Sequence, residues 1–100
     1  MSGAQLLDCG GGRYQLHGDL SFDTATQLLV QSQAMFAGES TLELDLSGVT
    51  HADSAGLSLL IEWLRQAKRQ GKSLRYLSLP LQLQALADVS EVKSLFSHTA

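Results

Sequence analysis

"HADSAGLSLLIEW", residues 51–63, places a short polar stretch directly before a dense apolar run. The preceding segment, "TLELDLSGV" (41–49), alternates leucine with polar residues, which is the pattern of a strand with one buried face. The apolar residues that follow recur at helical spacing as far as Gly71, and this pattern predicts a helix over Ser54–Gln70. A strand and a helix therefore meet at "HADS", and this junction decides the fold.

The rest of the chain predicts further short elements around this junction. Two strands, "QLLDC" (5–9) and "RYQLHGD" (13–19), are joined by three glycines, which favours a tight hairpin. The other predicted elements are a helix within residues 21–40 capped by Asp23 and ended by Gly38, a strand at 73–79, a helix at 81–90, and a last turn or edge strand at 91–96. The order ββαβαβα predicts an α/β domain over residues 1–100, with one mixed sheet of about four strands and helices mainly on one face.

Composition excludes several classes of function. The chain has 100 residues, 44% apolar and 17% charged, which is typical of one folded domain. Its formal net charge of −3 argues against nucleic acid as the main partner, because phosphate binding requires a basic surface. The cations between Arg65 and Arg75 are interpreted as complementing the dipole at a helix C-terminus.

The N-terminal sequence and the single cysteine bear on the compartment. "MSGAQLLDCGGGRY" lacks the basic start and apolar core of a signal peptide, and no stretch approaches the roughly 18 apolar residues of a membrane span. Cys9 has no partner for an internal disulfide, which suits a reducing environment. We therefore expect a cytoplasmic protein.

The motifs that could indicate catalysis or metal binding do not have the sequence order or spacing that such chemistry needs. "GKS" (71–73) lies between a helix and a strand, whereas a phosphate-binding loop requires a strand, a loop and then a helix. His51, Asp53 and Ser54 are too close in sequence to converge as a hydrolase triad. One cysteine and three scattered histidines have no metal-ligand spacing. We expect no enzyme activity, no cofactor and no metal site.

The polar residues at the junction have two interpretations. Asp53 and Ser54 are both good N-cap residues, so capping alone could account for them. However, Leu59 and Trp63 widen the apolar arc of the helix to about 200°, which exceeds what one sheet face needs. Trp63 either lies over the edge of the sheet or belongs to an exposed apolar patch that binds a protein partner.

The junction also resembles a known family. "DLSGV" (45–49) and "DSAGL" (53–57) are similar to the hallmark of STAS domains, a strand ending in D-L-S-x-V and then a loop with D-[ST]-x-G-L that opens a helix. "HGDLSFDTA" (17–25) resembles the family's G-x-L-x-x-x-T segment, so the likeness covers nearly the whole chain. It is strongest to the small STAS subunits of Mla phospholipid ABC transporters. That resemblance implies a non-catalytic subunit that binds an MlaF-like ATPase, and through it the permease, at the inner membrane.

The resemblance also implies an alternative function. In STAS proteins that regulate sigma factors, a partner kinase phosphorylates the hydroxyl residue directly after the motif's Asp, and Ser54 holds that position. The alternative is therefore an anti-sigma factor antagonist switched by phosphorylation of Ser54, although Ala55 stands where many such proteins carry a second Ser. Both functions place a partner contact at the same expected surface, formed by His51, Asp53, Ser54, Ala55, Gly56, Leu59 and Trp63.

Overall fold

A computed structural model describes residues 3–89 as one four-stranded sheet with three helices. The elements are β1 (Ala4–Gly10), β2 (Arg13–Leu20), α1 (Phe22–Phe36), β3 (Thr41–Ala52), α2 (Ser54–Arg69), β4 (Ser73–Leu77) and α3 (Leu81–Val89). This order confirms the predicted ββαβαβα arrangement. The turn or strand expected at 91–96 lies outside the described residues.

The sheet is mixed, as predicted. β1 and β2 form an antiparallel hairpin, and β2, β3 and β4 run parallel in the order β1-β2-β3-β4. Gly11 and Gly12 form the hairpin turn with φ of +63° and +81°, a conformation that glycine adopts at little steric cost. Each parallel pair is connected through a helix, and the two connecting helices, α1 and α2, pack against each other.

β3 continues further than the alternating pattern predicted. It extends to Ala52, and its last residues pair with the end of β2, His51 opposite Asp19 and Ala52 opposite Leu20. Irregularities in the register on either side of His17 and Gly18 allow this longer pairing. Because β2 and β3 end side by side, the helices that follow them also begin side by side.

Three buried polar side chains fasten the helices to their neighbours. The Tyr76 hydroxyl on β4 donates to the Leu60 carbonyl of α2 at 2.7 Å, and the Tyr14 hydroxyl on β2 donates to the Met35 carbonyl of α1 at 2.6 Å. The Trp63 indole N–H of α2 donates to the Ser32 hydroxyl of α1 at 2.8 Å. Burial raises the pKa of Tyr76 well above its usual value, which keeps its O–H available as a donor.

Of the two interpretations of Leu59 and Trp63, the structure supports burial within the protein and not an exposed apolar patch. Leu59 is 4% exposed and Trp63 is 2% exposed, and both belong to the hydrophobic core. The Trp63 ring meets Phe36 of α1 edge to face, with ring centroids 5.6 Å apart. α2 has a wide apolar arc because it packs against α1 as well as against the sheet, so its flank is covered by protein.

Candidate partner-binding site

Asp53 links the beginnings of both long helices. It is the N-cap of α2, and its Oδ1 accepts hydrogen bonds from the backbone N–H groups of Ala55 at 2.9 Å and Gly56 at 3.2 Å. Its Oδ2 accepts from the backbone N–H of Phe22, the first residue of α1, at 3.3 Å. One carboxylate thus satisfies unpaired amides of two helices, which confirms Asp53 as a helix cap.

The ionisation of Asp53 follows from these contacts. Partial burial of the carboxyl group raises its pKa. The three backbone N–H donors and the neighbouring His51 imidazole lower it by more, so the pKa of Asp53 lies below its ordinary value. The residue is therefore a carboxylate at neutral pH, which suits two adjacent helix N-termini.

The start of α1 differs from the prediction in its capping residue. Ser21, not Asp23, is the N-cap: its hydroxyl accepts from the Asp23 N–H at 3.3 Å, while the Thr24 hydroxyl accepts from the Ser21 N–H at 3.1 Å. This reciprocal pair is a capping box, with Thr24 in the place where Glu or Gln is usual. The Ser21 hydroxyl also donates to the Asp19 carboxylate at 2.8 Å, which ties the end of β2 to the helix.

Ser54 is exposed at this junction, as is His51. It is the first residue of α2, and its carbonyl oxygen accepts a hydrogen bond from the Ser58 hydroxyl at 3.0 Å. Within the described part of the chain, no hydrogen bond is recorded for the Ser54 hydroxyl. Since Asp53 already caps the helix, Ser54 presents its hydroxyl to solvent.

Gly56 brings α2 close to the end of β2. A Cβ at this position would overlap the Leu20 carbonyl oxygen and lie 2.8 Å from the Leu20 Cγ. Gly56 is buried, so it serves the site through the backbone and not as a contact surface.

The structure brings five of the seven expected residues to one end of the molecule. His51 and Ser54 are exposed, Asp53 and Ala55 are half-buried, and Gly56 lies beneath them. Leu59 and Trp63, one and two turns further along α2, lie in the core.

Phe22 is a candidate contact that sequence reasoning missed. It is the first residue of α1, its side chain is 80% exposed, and its N–H binds Asp53. A signal for it was present, because the carboxyl ends of neighbouring parallel strands meet at one edge of a sheet. The residues that follow β2 therefore had to lie beside those that follow β3.

Two further properties concern the described residues, 3–89. None of their helices is long and apolar enough to cross a bilayer. Their His, Cys, Asp and Glu side chains form no group of three or more that could hold a metal ion.

Comparison with known proteins identifies the class first by fold. Over 98% of its length the chain superimposes on 92% of the phosphorylated form of SpoIIAA, a Bacillus cell fate determinant, with a TM-score of 0.70 and 17% identity. The unphosphorylated form of the anti-sigma factor antagonist SpoIIAA gives a TM-score of 0.66 at 18% identity, over 86% of this chain and 82% of that one. At these identities the likeness defines the STAS-type fold alone.

The sequence then identifies the family. A profile described as "Mlab, STAS domain" matches residues 10–97. The "Intermembrane phospholipid transport system binding protein MlaB" of Haemophilus influenzae is 37% identical over 79 residues, 74% of each chain. The chain belongs to the MlaB-type STAS domain family, and the resemblance found in its motifs is confirmed.

Proposed function

We propose that this protein is a non-catalytic subunit of a phospholipid-transporting ABC complex of the Mla type. In this proposal it binds the ATPase subunit, an MlaF-like protein, and through it the permease, and it supports the assembly and activity of the complex. It lies in the cytoplasm and is held at the inner membrane by its partners. The similarity to the Haemophilus influenzae protein, whose name places it in a phospholipid transport system, supports this assignment.

The exposed hydroxyl of Ser54 is the observation that carries the proposal. The Asp53 carboxylate satisfies the first amides of α2, so capping does not require Ser54. An exposed hydroxyl at a capped helix terminus can instead exchange hydrogen bonds with a docked protein. We propose His51, Asp53, Ser54 and Ala55 as the centre of the contact with the ATPase, with Gly56 supporting it from below.

An anti-sigma factor antagonist is the alternative, and the same residue favours it. Ser54 is accessible to a kinase, and the fold matches both the phosphorylated and the unphosphorylated SpoIIAA. In that function a phosphate on Ser54 would release a regulatory kinase, because about two negative charges enter the contact.

Co-purification with the ATPase subunit of the phospholipid transporter from the same organism tests the proposal. Wild type, Ser54→Ala, Ser54→Asp and the control Ser73→Asp, which adds the same charge at an exposed site on β4, are compared. We expect wild type and Ser73→Asp to recover the ATPase, Ser54→Ala to recover it nearly as well, and Ser54→Asp to recover the least. A carboxylate at position 54 would have to lose its water on docking and would stand beside the ionised Asp53.

Circular dichroism on each variant separates docking from folding. All four proteins should unfold at similar temperatures, because Asp53 remains in place. Recovery of a sigma-regulating kinase without the ATPase would contradict the transport function and support the alternative. Unfolding of Ser54→Ala would show instead that Ser54 is needed as a cap.

A further inference from the structure

The N-terminal halves of α1 and α2 form the two walls of an open groove of about 640 Å³, here called the α1–α2 groove. Apolar side chains from both helices line it, namely Ala25, Leu29, Ala55 and Leu59, with Phe22 at its rim. Ala55 directly follows Ser54, so the groove begins at the proposed contact and continues along the two helices.

Charged side chains in the groove are all of one sign. The ionisable residues of its lining are Asp23 on α1 and Glu62 on α2. Glu62 accepts a hydrogen bond from the Gln66 amide at 3.1 Å and forms an exposed ion pair at 3.4 Å with Arg69, which lies two turns along α2 outside the groove. An exposed pair of this kind is weak, so Glu62 remains accessible to a second cation. The lining itself contributes no cation, so it presents an acidic margin around an apolar floor.

The exposed side of α1 is depleted of charge. After Asp23, residues 24–38 contain no Asp, Glu, Lys, Arg or His. Phe22 at the rim of the groove is 80% exposed, and Val30, which lies further along the helix and outside the groove lining, is 68% exposed. Depletion of charge around large exposed apolar side chains is typical of the centre of a protein interface.

We propose that the α1–α2 groove receives an amphipathic helix of the ATPase subunit that carries Lys or Arg beside its apolar stripe. The apolar stripe packs on Phe22 and Leu29, and the basic side chains face Asp23 and Glu62. This inference rests on the proposed function, because it specifies the partner segment that binds next to Ser54. A helix with one apolar face commonly binds in an apolar groove, and complementary charges orient that helix.

An anionic membrane surface fits this groove less well than a basic helix does. Phospholipid headgroups with negative charge attract cationic patches, and Asp23 and Glu62 would repel them. A protein helix satisfies both the apolar floor and the acidic margin, so the groove favours a protein partner.

Affinity measurements with the purified ATPase subunit test the occupant. Phe22→Ala should weaken binding by about tenfold or more, because exposed aromatic side chains are frequent hot spots. Asp23→Lys combined with Glu62→Lys should also weaken it by about tenfold at low salt and reduce its dependence on salt. The controls are Leu81→Ala, which truncates another side chain that is 80% exposed, and Glu39→Lys, which reverses a single charge beyond the far end of α1 and is therefore compared with Asp23→Lys and Glu62→Lys taken singly.

The outcomes distinguish this inference from the function on which it rests. Wild-type binding that persists unchanged in Phe22→Ala and in the double reversal overturns the groove and leaves the ATPase as partner. Failure of wild type to bind the ATPase overturns the proposed function itself, and the groove proposal with it. Binding to vesicles of anionic phospholipid that is lost in Phe22→Ala, while ATPase affinity is kept, assigns the groove to the membrane and overturns the helix.

Discussion

Replacement of Asp53 tests whether one carboxylate organises the site. Asp53→Ala removes the acceptor for three backbone N–H groups, two on α2 and one on α1. Loss of an N-cap costs about 1–2 kcal/mol, and loss of a negative charge at a helix N-terminus costs about 0.3–1 kcal/mol. We therefore expect the free energy of unfolding to fall by about 1.5–3 kcal/mol, which lowers Tm by about 6–24 °C in a chain of this size.

Asp53→Asn is the matched variant that separates capping from charge. Its side-chain carbonyl can still accept from the amides of α2, but its NH2 group cannot accept from Phe22. We expect a smaller loss of about 0.5–1.5 kcal/mol, from the charge and the link to α1. Urea unfolding of wild type, Asp53→Asn and Asp53→Ala at pH 7 gives the three free energies directly.

The pH dependence of the unfolding free energy of the same three proteins shows whether the ionised form of Asp53 stabilises the fold. Because the pKa of Asp53 is lowered in the folded state, its stabilisation is present above the unfolded value of about 3.9 and is lost as pH falls through the lower folded value. The difference between wild type and Asp53→Asn should therefore be present above about pH 5 and should shrink below about pH 4. A difference that persists unchanged at pH 2, or an Asp53→Ala protein as stable as wild type, would refute the capping role.

Three other packing contacts can be tested by substitution in the same unfolding assay. Gly56→Ala should destabilise the protein by about 1–3 kcal/mol in urea unfolding, since the new methyl group overlaps the Leu20 carbonyl; an unchanged midpoint would contradict the close approach. Ser32→Ala should cost about 1–3 kcal/mol by leaving the Trp63 N–H without an acceptor, and adding Trp63→Phe should cost less than the two changes separately. Tyr76→Phe should cost about 1–2 kcal/mol in the same assay, because a carbonyl of α2 loses its buried donor; a neutral result would mean that water replaces it.

Local patterns were sufficient to predict the order of the elements and to limit the cap of α2 to Asp53 or Ser54. Alternating leucines in β3, helical spacing in α2 and the Asp-Ser pair between them are all short-range signals. They located the junction because strand, loop and helix follow one another there without a gap. The mixed character of the sheet followed, since a short hairpin joins antiparallel strands and a parallel pair needs a long connection such as a helix.

The burial of Leu59 and Trp63 could not be predicted in the same way. A wide apolar arc on a helix shows that more than one surface must cover it, but not whether the second surface belongs to this chain or to a partner. The answer depended on α1, whose Phe36 and Ser32 reach Trp63 from more than 25 residues away in sequence. The spacing of apolar residues within α2 cannot show which distant part of the chain covers the flank of that helix.

The exposure of Phe22 is the converse case. Phe22 directly follows the capping residue Ser21 and is 80% exposed, although it is a large aromatic residue. β2 ends with irregular pairing to β3, which could not be predicted from its sequence. The place of Phe22 beside the site thus follows from the parallel strands, whereas its exposure required the three-dimensional structure.

The acidic groove and the hydroxyl at its end place different demands on a partner. A basic helix would be attracted by added negative charge at long range, whereas Ser54→Asp is expected to weaken binding. The two effects act in different steps, because rim charges change the association rate and its salt dependence, while a desolvated charge at the centre changes the dissociation rate. Ser54→Asp should thus dissociate faster at every salt concentration, and the Asp23 and Glu62 reversal should associate more slowly mainly at low salt. If Ser54→Asp instead bound more tightly as salt was lowered, position 54 would belong to the margin of the contact and not to its centre.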